Sequence, residues 1–113
     1  MHELGLAHDL WKVILKYAAE NKLKKISNIM IVVGKYSGIE EDFLTHTLRD
    51  HILPGTIGEH ARIEFEKEAQ KITCESCGSI TEGDFPAECS KCKSSRLIIS
   101  AGNSVYVKFI EGS

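Results

Sequence analysis

The sequence has little of what marks several common protein classes. No apolar run approaches the roughly 20 residues of a membrane span, and the acidic residues Glu3 and Asp9 stand where a signal peptide would be basic. A net charge of −2 disfavours a dedicated nucleic-acid binder, whose surface is usually basic. Neither a Ser-His-Asp pattern nor a glycine-rich phosphate loop is recognisable. We therefore expect a cytoplasmic protein that binds neither nucleic acid nor a membrane.

The first third of the chain predicts a helix followed by a strand. The 113 residues suffice for one small domain with a modest core. The stretch from Ile26 to Gly34 is β-branched and nearly continuously apolar, which predicts a strand covered on both faces, or on one face and one end. Before it, apolar residues recur in steps of three and four from Leu4 to about Asn21. This period predicts a helix whose buried face comprises Leu6, Leu10, Val13, Ile14, Tyr17 and Ala18.

A second helix is predicted after Ser37. Ser37 and Glu40 have the spacing of a capping box, in which each side chain bonds the other residue's backbone N–H. Pro54-Gly55 is expected to end the helix. Its buried face would consist of Ile39, Phe43, Leu44 and Leu48.

Two further strands complete the predicted fold. Apolar and charged residues alternate from Ala61 to Phe65, and the alternation returns at Val105, Val107 and Phe109. We expect an α+β fold with two helices packed on a three-stranded sheet. A small zinc-ribbon-like subdomain with four cysteines is inserted between the last two of these strands.

The insertion carries all the cysteines of the chain as two Cys-x-x-Cys pairs, Cys74/Cys77 and Cys89/Cys92, with eleven residues between the pairs. Two such pairs can bring four thiolates into the tetrahedron that Zn²⁺ prefers. Gly78 suits the tight loop after the first pair because it accepts a positive φ at little cost. Lys93, at the equivalent position of the second loop, departs from that pattern.

Other readings of the four cysteines remain open at this point. A reducing cytoplasm disfavours disulfides. Iron in a rubredoxin-like site would use the same ligands. Zinc is favoured, and because four protein ligands leave no open position for substrate, its role is expected to be structural.

The N-terminal residues Met1-His2-Glu3 offer a second kind of metal site. The terminal amine, the amide nitrogen of His2 and its imidazole could close two fused chelate rings around one ion. The amide of Glu3 could complete four nitrogens near one plane, a geometry that suits Ni²⁺ or Cu²⁺. The pattern is weak alone, because a histidine at position 2 also occurs by chance. The remaining histidines are interpreted as surface or capping side chains: His8, His46, His51 and His60.

From Met1 to about Glu111 the chain resembles the HypA/HybF family of nickel metallochaperones, which serve the maturation of [NiFe]-hydrogenase and, in some bacteria, urease. The resemblance begins at Met1-His2-Glu3 and continues through Gly34–Ile39, Gly55-Thr56 and Ala61–Phe65. It includes the four cysteines and ends at Gly102-Asn103. The combination of Met-His-Glu with paired Cys-x-x-Cys motifs is specific to this family.

The resemblance implies a protein that carries nickel and is not an enzyme. Ni²⁺ would be transient cargo at Met1, His2 and Glu3, while structural Zn²⁺ would be held by Cys74, Cys77, Cys89 and Cys92. Residues 1–70 and 101–113 would form the nickel-binding domain, and residues 71–100 the zinc-binding subdomain.

The implied partners are a nickel-handling GTPase or ATPase of the HypB type and the hydrogenase large-subunit precursor. Urease accessory proteins are a secondary expectation. The oligomeric state stays open, with a homodimer formed by swapping through the strands that flank the insertion as one alternative.

Two rival functions stay open on the sequence alone. A zinc-ribbon adaptor for proteins or nucleic acid would leave His2 incidental. A rubredoxin-like electron carrier would hold iron.

Overall fold

The structure, a computed structural model, describes residues 3–113, and for Glu3 it describes the backbone alone. Met1, His2 and the Glu3 side chain, which carry the predicted nickel site, lie outside the described part. The elements follow in the predicted order of helix, strand, helix, strand, insertion and strand. They are α1 (Glu3–Glu20), β1 (Ile26–Gly34), α2 (Glu41–Thr47) with a π-helix (Leu48–Ile52), β2 (Arg62–Glu68), β3 (Lys71–Cys74), β4 (Ile80–Glu82), β5 (Leu97–Ala101) and β6 (Val105–Gly112).

Helix α1 and strand β1 form the core as the sequence predicted. The buried face of α1 runs through Leu6, Leu10, Ile14 and Ala18, at steps of four. Val13 is instead 37% exposed, so its placement on that face was wrong. Strand β1 is central in a sheet of order β2-β1-β6. Its residues from Ile29 to Gly34 are buried or half-buried, which fits its nearly continuous apolar sequence. No helix within residues 3–113 has the length and apolarity to cross a bilayer.

Helix α2 differs from its prediction in two respects. Its N-cap is Glu40, which makes no side-chain capping hydrogen bond, so the prediction that Ser37 caps this helix was wrong. Phe43 is 57% exposed and does not belong to the buried face, whereas Leu44 and Leu48 are fully buried. The helix ends as a π-helix just before Pro54-Gly55, as the two residues predicted.

The cysteine insertion contains a second sheet, which the sequence did not predict. Strand β3 pairs antiparallel with β4 on one side and β5 on the other, so the sheet order is β4-β3-β5. The register aligns Thr73 with Ile80 and with Ile98. These strands have only three to five residues, too few to show a clear period.

The chain divides into two compact units. One comprises the residues up to Val32, Ile39–Glu66 and Val105–Ser113; the other comprises Val33–Gly38 and Lys67–Ser104. The boundaries expected from the sequence, at 70/71 and 100/101, stay a prediction.

Three backbone segments of the second unit approach one another closely. A Cβ on Gly34 would lie under 3.0 Å from the Gly102 backbone, and one on Gly102 would collide likewise with Gln70. The Tyr36 N–H donates to the Gly102 carbonyl (2.9 Å), and the Tyr36 hydroxyl donates to Asp84 Oδ1 (2.6 Å). This hydrogen bond, together with the charge of the Asp84 carboxylate, raises the pKa of Tyr36. Residues 34–38 of the Gly34–Ile39 motif therefore serve the packing of the cysteine-bearing unit, while Ile39 belongs to the first unit.

Candidate metal centre

Each Cys-x-x-Cys pair closes a tight loop with the same two backbone hydrogen bonds. In the first loop the Gly78 N–H donates to the Cys74 carbonyl (2.8 Å), and the Cys74 N–H donates to the Ser79 carbonyl (2.9 Å). The second loop, at residues 89–94, repeats both bonds at 2.9 and 2.8 Å. The hydroxyls of Ser76 and Ser94 link the two loops at 2.8 Å. The loops thus form a nearly symmetric pair around the sulfur atoms.

The four sulfur atoms are spaced as ligands of one tetrahedral ion. The Sγ atoms of Cys74 and Cys92 are 3.6 Å apart, and those of Cys77 and Cys89 are 3.7 Å apart. All four lie within 4.8 Å of one another. Zn–S bonds of about 2.3 Å in a regular tetrahedron require sulfur atoms about 3.8 Å apart. The cluster therefore fits a metal ion with the radius and geometry of zinc.

The two loops differ in how easily their backbone adopts the required turn. Gly78 has a φ of 78° and Lys93, at the equivalent position, has a φ of 65°. A glycine tolerates this left-handed conformation, whereas a residue with a Cβ adopts it at a cost. The departure of Lys93 from the glycine pattern leaves the hydrogen bonds of its loop intact.

The Ser79 hydroxyl lies against one sulfur from each pair. It is 3.1 Å from Cys77 Sγ and 3.4 Å from Cys89 Sγ. The hydrogen bond from Ser79, assisted by backbone N–H groups, lowers the pKa of Cys89 to about 5. Ser79 also lowers the pKa of Cys77. Ser79 was not among the predicted site residues, although a hydroxyl two residues after the second cysteine of a pair was a usable signal.

The pKa of the Cys92 thiol is raised, opposite to the lowered pKa values of Cys77 and Cys89. The backbone N–H of Ser94 favours the Cys92 thiolate. The neighbouring sulfurs, Cys74 first, and burial outweigh that effect and raise the pKa of Cys92 to about 12. Because metal ligands must be thiolates, binding of an ion at neutral pH releases a proton from this site.

The four predicted cysteine ligands are thus brought together, two buried and two exposed. Among the described residues they form the only group of three or more potential ligand side chains gathered around one point. The predicted nickel site at Met1, His2 and Glu3 stays a prediction, since those side chains lie outside the described part.

The chain is similar to known proteins over nearly its whole length. The family model for HypA, described as hydrogenase/urease nickel incorporation, metallochaperone, matches residues 1–112. The hydrogenase maturation factor HypA of Dehalococcoides mccartyi is 33% identical over 112 residues, covering 98% of this chain and 93% of that protein. HypA of Moorella thermoacetica is 31% identical over 116 residues, covering 99% of both.

The fold has a close counterpart among solved structures. The solution structure of the Ni metallochaperone HypA from Helicobacter pylori superposes with a TM-score of 0.81 at 20% identity. It covers 99% of this chain and 97% of that one. At that identity the likeness concerns the fold alone, whereas the family model and the curated relatives bear on function. The family consists of metal carriers, so the prediction that the chain is not an enzyme is confirmed. The chain belongs to the HypA family, the nickel metallochaperones of hydrogenase and urease maturation.

Proposed function

We propose that the protein binds Ni²⁺ at its N-terminus and passes it to the maturation machinery of [NiFe]-hydrogenase. The main support is the family match, which begins at residue 1 and so includes Met1-His2-Glu3 as well as the four cysteines. The covalent structure of that tripeptide places an amine, an amide nitrogen and an imidazole within reach of one ion. Nitrogen ligands near one plane suit Ni²⁺, whereas Zn²⁺ prefers a tetrahedral arrangement.

The proposed nickel ligands are mostly backbone atoms. His2 is the one side chain whose donor atom the chelate requires, and Met1 contributes its amine. Glu3 contributes its amide nitrogen, and its carboxylate is available for partner contacts. Because protons compete for the amine and the imidazole, nickel affinity should fall as pH falls. Release to a recipient would proceed by ligand exchange.

Zinc is the proposed occupant of the cysteine cluster. Cys74, Cys77, Cys89 and Cys92 would hold it, and their spacing supports this assignment. With four protein ligands the ion has no open position and would stabilise the subdomain of residues 71–100. The nickel function would belong to residues 1–70 and 101–113.

The family match also supports a set of partners. We expect a HypB-type GTPase or ATPase as the nickel-handling partner and the hydrogenase large-subunit precursor as the client, with urease accessory proteins as a second client system. We place this exchange in the cytoplasm, where four free cysteines would remain reduced.

The test is a comparison of His2→Ala with His60→Ala, both made with a native, untagged N-terminus. His60 is an exposed histidine (76%), so its substitution controls for the loss of one imidazole. His2→Ala should weaken Ni²⁺ binding at the N-terminal chelate by roughly 100-fold or more, about 2.8 kcal/mol. The zinc content should stay unchanged in both variants. Equal nickel affinity of His2→Ala and wild type would overturn the proposal.

A further inference from the structure

His46, near the end of α2, and His51, in the π-helix that follows, have neighbouring imidazole rings. The rings of His46 and His51 are 5.9 Å apart, centroid to centroid, and stand nearly perpendicular at 83°. Residues five apart diverge around an α-helix. Here the chain turns into the π-helix Leu48–Ile52, closed by a hydrogen bond from the Leu53 N–H to the Leu48 carbonyl (2.8 Å). An i→i+5 turn places residues five apart close to one another, and such turns often occur at functional sites.

One of the two rings has a carboxylate behind it. His46 Nδ1 lies 2.8 Å from Asp50 Oδ2. When Nδ1–H donates to this carboxylate, the proton is fixed on Nδ1 and the Nε2 lone pair stays available. A carboxylate behind a histidine is the usual arrangement around metal-binding imidazoles, because it sets the tautomer and raises the basicity of the ligand nitrogen.

The spacing of the rings is compatible with a shared ion. An ion about 2.1 Å from one nitrogen of each ring lies about 3 Å from each centroid, so two centroids up to about 6 Å apart can share it. The observed 5.9 Å is within this limit. No further His, Cys, Asp or Glu side chain of the described part joins the pair, so water would complete the coordination.

Both imidazoles line an open groove of about 440 Å³ together with Leu4, Phe43 and Thr47. Leu4 follows His2 by two residues, and two residues span at most about 7 Å. The groove therefore begins at a residue only two positions along the chain from His2 of the proposed nickel chelate. It is large enough for a hydrated ion.

We propose that His46 and His51 form a second, weaker site for a divalent late transition-metal ion, which collects Ni²⁺ beside the N-terminus. Imidazole nitrogens suit Ni²⁺, Cu²⁺ and Zn²⁺. Two protein ligands bind less tightly than the proposed N-terminal chelate, so the ion can move from the pair to His2. The choice of Ni²⁺ as the natural ion depends on the proposed function; the existence of the site does not.

The experiment uses the full zinc-loaded chain with His2→Ala, titrated with Ni²⁺ alone. Nickel held by two imidazoles and water is paramagnetic, whereas nickel in a plane of four nitrogens is diamagnetic. At low Ni²⁺ we therefore expect the imidazole proton signals of His46 and His51 to broaden before those of His8 and His60. Equal broadening of all four histidines would overturn the proposal.

Further substitutions, added to the His2→Ala chain, measure the Ni²⁺ affinity of the His46–His51 site. Loss of an outer-shell partner alone costs about 10–100-fold in metal affinity, so His51→Ala or His46→Ala should weaken Ni²⁺ binding at least tenfold. Asp50→Asn should weaken it less, and His60→Ala should leave it unchanged. Equal affinity with and without His51 would contradict the site. The comparison of wild type with His2→Ala tests the N-terminal chelate separately, so the two failures are distinguishable.

Discussion

Lys93 holds a backbone conformation that its counterpart Gly78 adopts freely. Its φ of 65° is costly for a residue with a Cβ. Its ammonium is 3.8 Å from Glu88, and both side chains are exposed, so this ion pair offsets little of the cost. The second cysteine loop is therefore the more strained of two otherwise equivalent loops.

Lys93→Gly should stabilise the zinc-loaded protein by about 0.5–1 kcal/mol, because it removes this strain. Gly78→Ala should destabilise it by about 1–2 kcal/mol, because it introduces the same strain in the first loop. Denaturant unfolding of both variants measures the two free energies. A loss of stability in Lys93→Gly would show that the lysine side chain contributes more than its backbone costs.

At the scale of the elements, Ser79 connects the two cysteine loops through its hydroxyl. The Ser79 hydrogen bond first, and two backbone N–H groups after it, lower the pKa of Cys89 from 9.0 to about 5. The stability that this thiolate contributes to the folded state is therefore fully present above pH 9 and is lost as pH falls through about 5. Ser79→Ala should raise the pKa of Cys89, so that protons displace zinc at a higher pH. Zinc affinity at pH 7 should fall by about tenfold.

Competition with a chromophoric chelator across pH measures both effects of Ser79→Ala. Ser95→Ala, an exposed serine in the same subdomain, is the matched control and should titrate like wild type. If Ser79→Ala releases zinc at the same pH as Ser95→Ala, the hydroxyl does not act on the thiolates.

The elements also show which secondary structure can be predicted from sequence periodicity. The 18 residues of α1 and the nine of β1 are long enough for burial to impose a clear pattern, and both were predicted closely. The capping box at Ser37 failed because the helix begins later, at Glu41. Phe43 was placed inside by its apolar character, yet it lines the open groove beside His46. The strands of the second sheet were too short to predict from pattern alone.

At the scale of the whole molecule, the two compact units have different sources of stability. The first buries most of the large apolar side chains, from α1, β1 and α2. Between Lys67 and Ser104 the buried apolar side chains are few: Ile72, Cys74 and Cys89. A unit with so small a core is expected to depend on its metal for stability.

Removal of zinc with a chelator should therefore loosen the second unit selectively. Hydrogen exchange should accelerate strongly in peptides covering residues 71–100 and little in peptides from α1. The amides of Val33–Gly38 report on the domain boundaries: if the predicted limits of 71–100 hold, these amides stay protected. Uniform acceleration along the chain would contradict a separately stabilised subdomain.

The four-cysteine site could be predicted from the sequence, because the identity and spacing of its ligands are enough to define it. Four cysteines in two Cys-x-x-Cys pairs determine a tetrahedral site almost regardless of the surrounding fold. The His46–His51 pair could not be predicted, because residues five apart meet only where the helix turns into a π-helix. The second-unit contacts of Tyr36 likewise depend on the packing of Gly34 against Gly102, which no local pattern reveals.

In the proposed N-terminal chelate, nickel binding depends on the position of His2 relative to a free amine. The most direct measurement is nickel binding by three untagged, zinc-loaded chains: native, His2→Ala, and one with a single glycine added before Met1. The added glycine keeps every side chain but moves the amine out of the chelate ring. We predict that the native chain binds one stoichiometric, diamagnetic Ni²⁺ and that both altered chains lose it. Equally tight binding by the glycine-extended chain would contradict the account.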